Sequence, residues 1–132
     1  MSSTAVNNKR YGFNAEAELL QYFRDRNWRA ERLHLVGTED EGDLVIWAFD
    51  WLDNPMIVQL KTYATRTAKG AERPLSHAKV KGWWKDLDQQ CEHYRAHRGL
   101  EETPSGILVV KPRGASWNDA MIIQRLSGWA GK

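Results

Sequence analysis

Two short runs hold the residues best suited to chemistry. Gly42-Asp43 opens the apolar stretch Leu44-Val45-Ile46-Trp47, and sixteen positions after Asp43 stands Gln59, in Gln59-Leu60-Lys61 at the end of a second apolar stretch. Side chains alternate faces along a strand with a period of two, so Gln59 and Lys61 share a face. If the two runs are partnered strands of a hairpin, the acid at the head of one meets the polar pair at the tail of the other. A carboxylate, an amide oxygen and the Leu60 carbonyl are hard oxygen donors of the kind Mg²⁺ takes, and Lys61 adds a positive point charge beside them. Such a set suits a phosphate ester. A cation there neutralises charge developing on the phosphate and lowers the pKa of a bound water, while the lysine orients that water or stabilises the oxyanion.

The elements that must position these residues can be read along the chain. Phe13, Ala17, Leu20 and Phe23 recur near helical spacing and predict a first helix from Tyr11 to Asn27, with Asn14 as its N-cap and Glu16 and Glu18 in its first turn. Three strands follow, Trp28 to Val36, Asp43 to Trp51 and Met56 to Tyr63, with Leu52-Asp53-Asn54-Pro55 turning between the last two. Residues 64 to 77 carry three cations, Arg66, Lys69 and Arg73, in a loop long enough to be a substrate loop. Val80, Trp83, Trp84, Leu87, Cys91 and Tyr94 predict a second helix from Ser76 or Ala78 to about His97, ended near Gly99. Gly106 to Lys111 is a short strand, Pro112-Arg113-Gly114 a turn, and Ala120 to Leu126 a last strand or short helix. The order α-β-β-β-α-β-(β) implies an α/β fold. The meander is antiparallel, and the strand after the second helix returns parallel through a right-handed crossover, giving a mixed central sheet flanked by helices.

At 132 residues the chain fits one domain, expected over residues 9–132, with 1–8 as a disordered arm. A 42% apolar composition with no run near the ~18 to 20 residues of a membrane helix argues against a membrane partner. The first residues show no export signal, and the single cysteine, Cys91, excludes an internal disulfide; both fit the cytoplasm. The net charge of +2 hides an asymmetry: residues 1–62 carry seven Lys/Arg against ten Asp/Glu, and residues 63–132 carry twelve against seven. The contrast lies in the acidic Glu39-Asp40-Glu41-Gly42-Asp43 and in the basic tract Lys61, Arg66, Lys69, Arg73, Lys79, Lys81, Lys85. An acidic pocket beside a basic surface suits a polyanion whose chemistry needs a cation, although each run can equally be a solvated loop.

Asp43 and Gln59-Leu60-Lys61 resemble the motif of the PD-(D/E)XK nuclease superfamily, an Asp on the second core strand and an acid-x-Lys on the third. Within it, Lys9-Arg10-Tyr11-Gly12-Phe13-Asn14-Ala15-Glu16-Ala17-Glu18-Leu19 is similar to the Lys-Gly, Ala-Glu-Arg-x-Leu opening of archaeal-type Holliday-junction resolvases, and Gly106 to Arg113 to the strand after their second helix. Gln90-Cys91-Glu92-His93-Tyr94 also satisfies the Gln-x-x-x-Tyr pattern of RecB-like exonucleases in the same superfamily. Three positions depart from the pattern. Gly42 stands where the motif has Pro, Ala17 where it has Arg, and Gln59 where it has an acid.

The resemblance implies a restriction-endonuclease-like core and a Mg²⁺-dependent DNA endonuclease, Mn²⁺ substituting, that hydrolyses phosphodiester bonds in branched DNA. It implies a homodimer, since paired nicks across a four-way junction call for two sites related by a two-fold axis. The second helix or the last segment would offer the dimer face. Glu16, Asp43, Gln59 and the Leu60 carbonyl are then the metal-site residues and Lys61 the catalytic lysine. Lys9, Arg10, Arg66, Lys69, Arg73, Lys79 and Lys81 are the DNA-contact candidates, and Gln90 and Tyr94 support the site. Gln59 contributes no charge, so Asp40 and Glu41 are candidates to supply it; Gln59 could alternatively mark a lost activity, leaving a DNA-binding module. A RecB-like exonuclease acting on ends is the other enzyme reading. Trp83 and Trp84 beside three lysines could stack on unpaired bases or pack structurally. His93 and His97 show no zinc signature and read as a surface pair.

Overall fold

The computed structural model describes residues 4–34, 39–47, 55–65, 69–72 and 74–129, with side chains from residue 14 to residue 127. Helix α1 spans Thr4–Asp25, followed by strands β1 Arg29–Arg32, β2 Leu44–Trp47 and β3 Met56–Tyr63. Helix α2 spans His77–Arg98, strand β4 Ser105–Pro112, a 3₁₀ turn Trp117–Asp119, strand β5 Met121–Ile123 and a short helix α3 Leu126–Trp129. One five-stranded sheet runs in the order β1-β2-β3-β4-β5. It is mixed as expected: β1, β2 and β3 form an antiparallel meander, β3 and β4 pair parallel across α2, and β5 adds antiparallel to β4.

Period-two alternation decides what each helix covers. Leu44, Ile46, Val58, Leu60, Ile107 and Val109 point to one face, where they bury Ala15, Leu19 and Phe23 of α1. The intervening Val45, Ile57, Leu108 and Val110 point to the other face and bury Val80, Leu87, Cys91 and Tyr94 of α2. Each central strand therefore reads as a continuous apolar run, because helices lie on both sides of it. Gln59 and Lys61 share the parity of Ile57 and so belong to the α2 face.

Both long helices end in the manner their last residues dictate. In α1, Asn27 takes a left-handed φ of 64°, Trp28 N–H donates to Phe23 O at 3.1 Å, and the Phe23 and Trp28 rings stack at 5.4 Å, a Schellman stop with its hydrophobic contact. In α2, Ser76 caps the N-terminus by accepting from Lys79 N–H, and Gly99 closes the C-terminus in the left-handed region.

The start of α1 differs from expectation. The helix begins at Thr4, so residues 4–8, read as part of an arm, form its first turns, and Asn14 is an interior residue rather than the cap. A cap-forming side chain sets a helix start only where the preceding backbone leaves the helix, and here it does not. β1 is also shorter than the expected Trp28 to Val36 and ends at Arg32. The expected turn at Leu52-Asp53-Asn54-Pro55 lies, except for Pro55, outside the described residues.

Candidate active site at the start of strand β2

Asp43 sits just ahead of β2, between β1 and β3. Its N–H donates to Val58 O at 3.0 Å and its carbonyl accepts from Leu33 N–H at 2.9 Å, so the backbone is fixed from both sides. The register Leu44↔Val58 places Asp43 opposite Gln59. Gln59 Nε2 donates to Asp43 Oδ2 at 3.0 Å, and the same oxygen accepts from Leu60 N–H at 2.8 Å. The Leu60 N–H therefore points past the end of β2, and its carbonyl shares that side of the strand. Gln59 is 8% exposed, and its Oε1 is buried with no hydrogen-bond partner among the described residues. An acceptor left bare in that way costs free energy unless a ligand satisfies it.

Glu16 reaches the same spot from α1, on the other face of the sheet. Arg32, the last residue of β1, holds it with NH2 donating to Oε2 at 2.6 Å. This guanidinium reaches Glu16 from a neighbouring strand, a contact sixteen residues apart that spacing could not reveal. Burial first, and then the Glu16 carboxyl beside it, push the Asp43 carboxyl up to about 8, against the opposing pull of the Leu60 N–H.

Lys61 follows on the same face. It lines a cleft of about 200 Å³ together with Gln59, Asp40, Gln90 and His93. Gln90 is 6% exposed; its Nε2 donates to Asp40 Oδ2 at 3.0 Å, and its Oε1 is a second buried oxygen without a partner among the described residues. Asp40 Oδ1 accepts from Gly42 N–H at 2.8 Å. Gly42 has φ 105°, and a Cβ there would lie 2.7 Å from Ile57 Cγ2. Proline cannot adopt that φ, so the strand start of this chain requires glycine at position 42. Tyr94, one turn beyond Gln90, is core: it is 4% exposed, under the Arg98 guanidinium at 3.8 Å.

Glu41 does not supply charge to the site. It is 1% exposed and is consumed by His97 Nδ1 at 2.7 Å and Arg98 NH1 at 2.5 Å. Burial raises its pKa, but those two partners outweigh the burial and hold the carboxyl below its ordinary range. Glu39 meets His97 Nε2 at 2.5 Å, and His93 Nδ1 donates to Asp40 O at 2.8 Å. The histidines read as a surface pair thus clamp the acidic loop onto α2 and set the position of Gly42 and Asp43. Among the described residues, no three His, Cys, Asp or Glu side chains stand ready for a metal ion; at this end of the sheet Asp43 and Glu16 lie together as a pair.

The basic candidates scatter. Lys79 lies beside Trp83, whereas Lys81 lines a different surface with Trp84, Arg125 and Leu126, because two residues along a helix turn the side chain by roughly 200°. Lys69 is exposed. Arg66 and Arg73 lie outside the described residues, as do the side chains of Lys9 and Arg10, whose backbone belongs to α1.

The fold defined by these elements is α/β, a mixed five-stranded sheet between two long helices with polar residues gathered where β2 begins. No family model and no curated protein matches the chain. Among solved structures it is similar to Hjc, a Holliday junction resolvase from the archaeal hyperthermophile Archaeoglobus fulgidus, at a TM-score of 0.45 and 15% identity, covering 83% of this chain and 73% of that one.

Proposed function

We propose that this protein is a divalent-metal-dependent deoxyribonuclease of the PD-(D/E)XK kind, cutting branched DNA as a homodimer in the manner of a Holliday-junction resolvase. One observation carries the reading: the buried Asp43 carboxylate, the bare Gln59 Oε1 and Glu16 converge at one end of the sheet, with Lys61 on the adjoining cleft.

The donor set suits Mg²⁺, which keeps several waters and needs few protein ligands. Asp43, Gln59 Oε1 and the Leu60 carbonyl would hold it, Mn²⁺ substituting, and Glu16, already ion-paired to Arg32, would act through water. When bound, the ion would supply charge neutralisation at the scissile phosphate and a water of lowered pKa. The chain's own residues do the rest. Asp43 would hold the ion as its carboxylate, its proton released to solvent water; Gln59 Nε2 and Leu60 N–H fix its oxygen, and Arg32 holds Glu16 in place. Lys61 donates to a non-bridging phosphate oxygen and stabilises the charge that develops there.

A dimer face is available near the C-terminus, where Met121, Ile122 and Leu126 are 44%, 64% and 76% exposed. Sedimentation equilibrium tests that part. Placement of Gln90 beside Asp40 favours a second reading, an exonuclease acting on ends. Cleavage of labelled four-way junction, duplex and single-stranded DNA separates the two: paired nicks on the junction support a resolvase, and digestion from ends supports an exonuclease. Metal-independent binding without cleavage would mean that Gln59 marks a module that only binds DNA.

A further inference from the structure

Past Lys61, β3 runs on to Tyr63 under the first turns of α2, and between them lies a second cleft of about 480 Å³. Lys61 lines both this cleft and the one at Gln59, so a single side chain borders the two. Trp83 forms one wall, packed on one side against the α2 core and turned on the other toward the cleft. The Lys61 and Lys79 ammonium groups stand 5.8 and 5.9 Å from its ring centroid. Neither lysine has an acidic partner among the described residues. Two like charges brought to one indole repel each other unless an anion lies between them.

We infer that this cleft is a subsite for one unpaired nucleotide of the strand being cut, its phosphate held by Lys61 and Lys79 and its base set against Trp83. The inference rests on the nuclease reading for the place of that nucleotide beside the scissile phosphate; the chemistry of the cleft stands apart from it. The volume falls within the roughly 300 to 1,000 Å³ of small-ligand sites. An indole with flanking cations matches what single strands offer, a π-face and a phosphate at each step, without asking for a particular base. A base inside a duplex has both faces stacked and cannot meet the Trp83 ring, so the nucleotide must be unpaired. Because Lys61 serves both clefts, that nucleotide lies next to the scissile phosphate. The substrate is therefore DNA with unpaired nucleotides at the cut, as at a branch point.

The test is anisotropy of a short labelled oligothymidylate with the full chain in EDTA, over a salt series. Wild type should bind with a salt-dependent constant, and a duplex of equal length should compete poorly. Lys79→Gln, at an exposed position, should weaken binding several-fold and reduce the salt slope by about 0.7. Trp83→Leu should weaken it roughly tenfold at an unchanged slope, with Trp83→Phe retaining most of the affinity. Wild-type binding by both Lys79→Gln and Trp83→Leu, together with equal competition by duplex or by polyglutamate, would overturn the subsite. Oligonucleotide binding of the expected kind by a protein that cuts nothing would keep the subsite and remove the nuclease. Cleavage dependent on Asp43, with binding indifferent to these substitutions, would do the reverse.

Discussion

Gln59 donates to Asp43 across the β2–β3 boundary at 3.0 Å, and its own amide oxygen is buried without a partner among the described residues. One neutral side chain thus holds the buried acid and presents a bare oxygen beside it. Replacing it by the acid of the motif, Gln59→Glu, puts two carboxylates in contact in a buried place. Without metal the variant should lose about 1–3 kcal/mol of stability from the unsatisfied charge. With Mg²⁺ it should bind the ion about tenfold more tightly, the scale on which ligand and supporting changes move metal affinity. Thermal melts with EDTA and across a Mg²⁺ titration check both signs. An unchanged Mg²⁺ response would remove position 59 from the metal site.

Asp43 also sets a pH dependence. Its carboxyl is pushed from an ordinary 3.8 up to about 8 by burial and by Glu16, so the folded protein keeps a proton that the unfolded chain releases across that window. Stability without metal should fall as pH rises from about 4 to about 8, and Asp43→Asn should flatten the fall. Mg²⁺ requires the ionised carboxylate, so its stabilising effect should grow between pH 6 and 8, with proton release on binding. Urea midpoints at the two pH values, with and without Mg²⁺, measure this. A Mg²⁺ effect independent of pH would contradict it.

The Glu41 clamp contributes in other windows. Glu41 is held below its ordinary value by Arg98 and His97 against the opposing effect of burial, so its contribution is present above about pH 4.5 and is lost as pH falls through the folded value. His97 is raised, chiefly by Glu41 and then by Glu39, so its contribution is full below pH 6.5 and fades as pH rises through the folded value. Arg98→Met leaves the buried carboxylate with His97 alone and should cost roughly 3 kcal/mol, the low end for a broken buried pair because Arg98 is itself partly exposed. Chemical denaturation at pH 5 and pH 8 should show the larger loss at pH 8, where His97 carries less charge.

Gly42 has a steric test. Gly42→Ala should cost roughly 1–3 kcal/mol, from the left-handed φ and from the Cβ meeting Ile57. Gly42→Pro, the residue of the motif, should do worse, because its ring forbids that φ. Denaturation midpoints rank the two, and a stable Gly42→Pro protein would contradict the geometry described for the strand start.

Strand β3 was legible to the residue, because Met56 to Tyr63 is an apolar run bounded by Pro55 and a polar loop, and α2 was legible because its apolar repeat ends on Gly99. The meeting of Asp43 with Gln59 followed from a period of two and a hairpin register. The Glu41 clamp did not, since His97 and Arg98 lie 56 and 57 residues away and such pairing leaves no local pattern. Arg32 was missed for the same reason. The acidic run read as charge available to a metal is instead divided: Glu41 is spent on α2, Asp40 is tied to Gln90 and Gly42, and Asp43 faces the sheet end. Charge counts along a sequence carry no information about which face each acid takes.

The central claim is that Asp43, Gln59 and Lys61 form a working phosphodiesterase centre. The measurement that tests it most directly is single-turnover cleavage of a labelled four-way junction in Mg²⁺ or Mn²⁺ against EDTA, by wild type, Asp43→Ala and Lys61→Ala. The account predicts metal-dependent cleavage by wild type, reduced by at least about 100-fold in each variant, as for loss of one stabilising group at a charged transition state. Cleavage that survives Asp43→Ala, or no cleavage by wild type with either metal while the junction is bound, would contradict it.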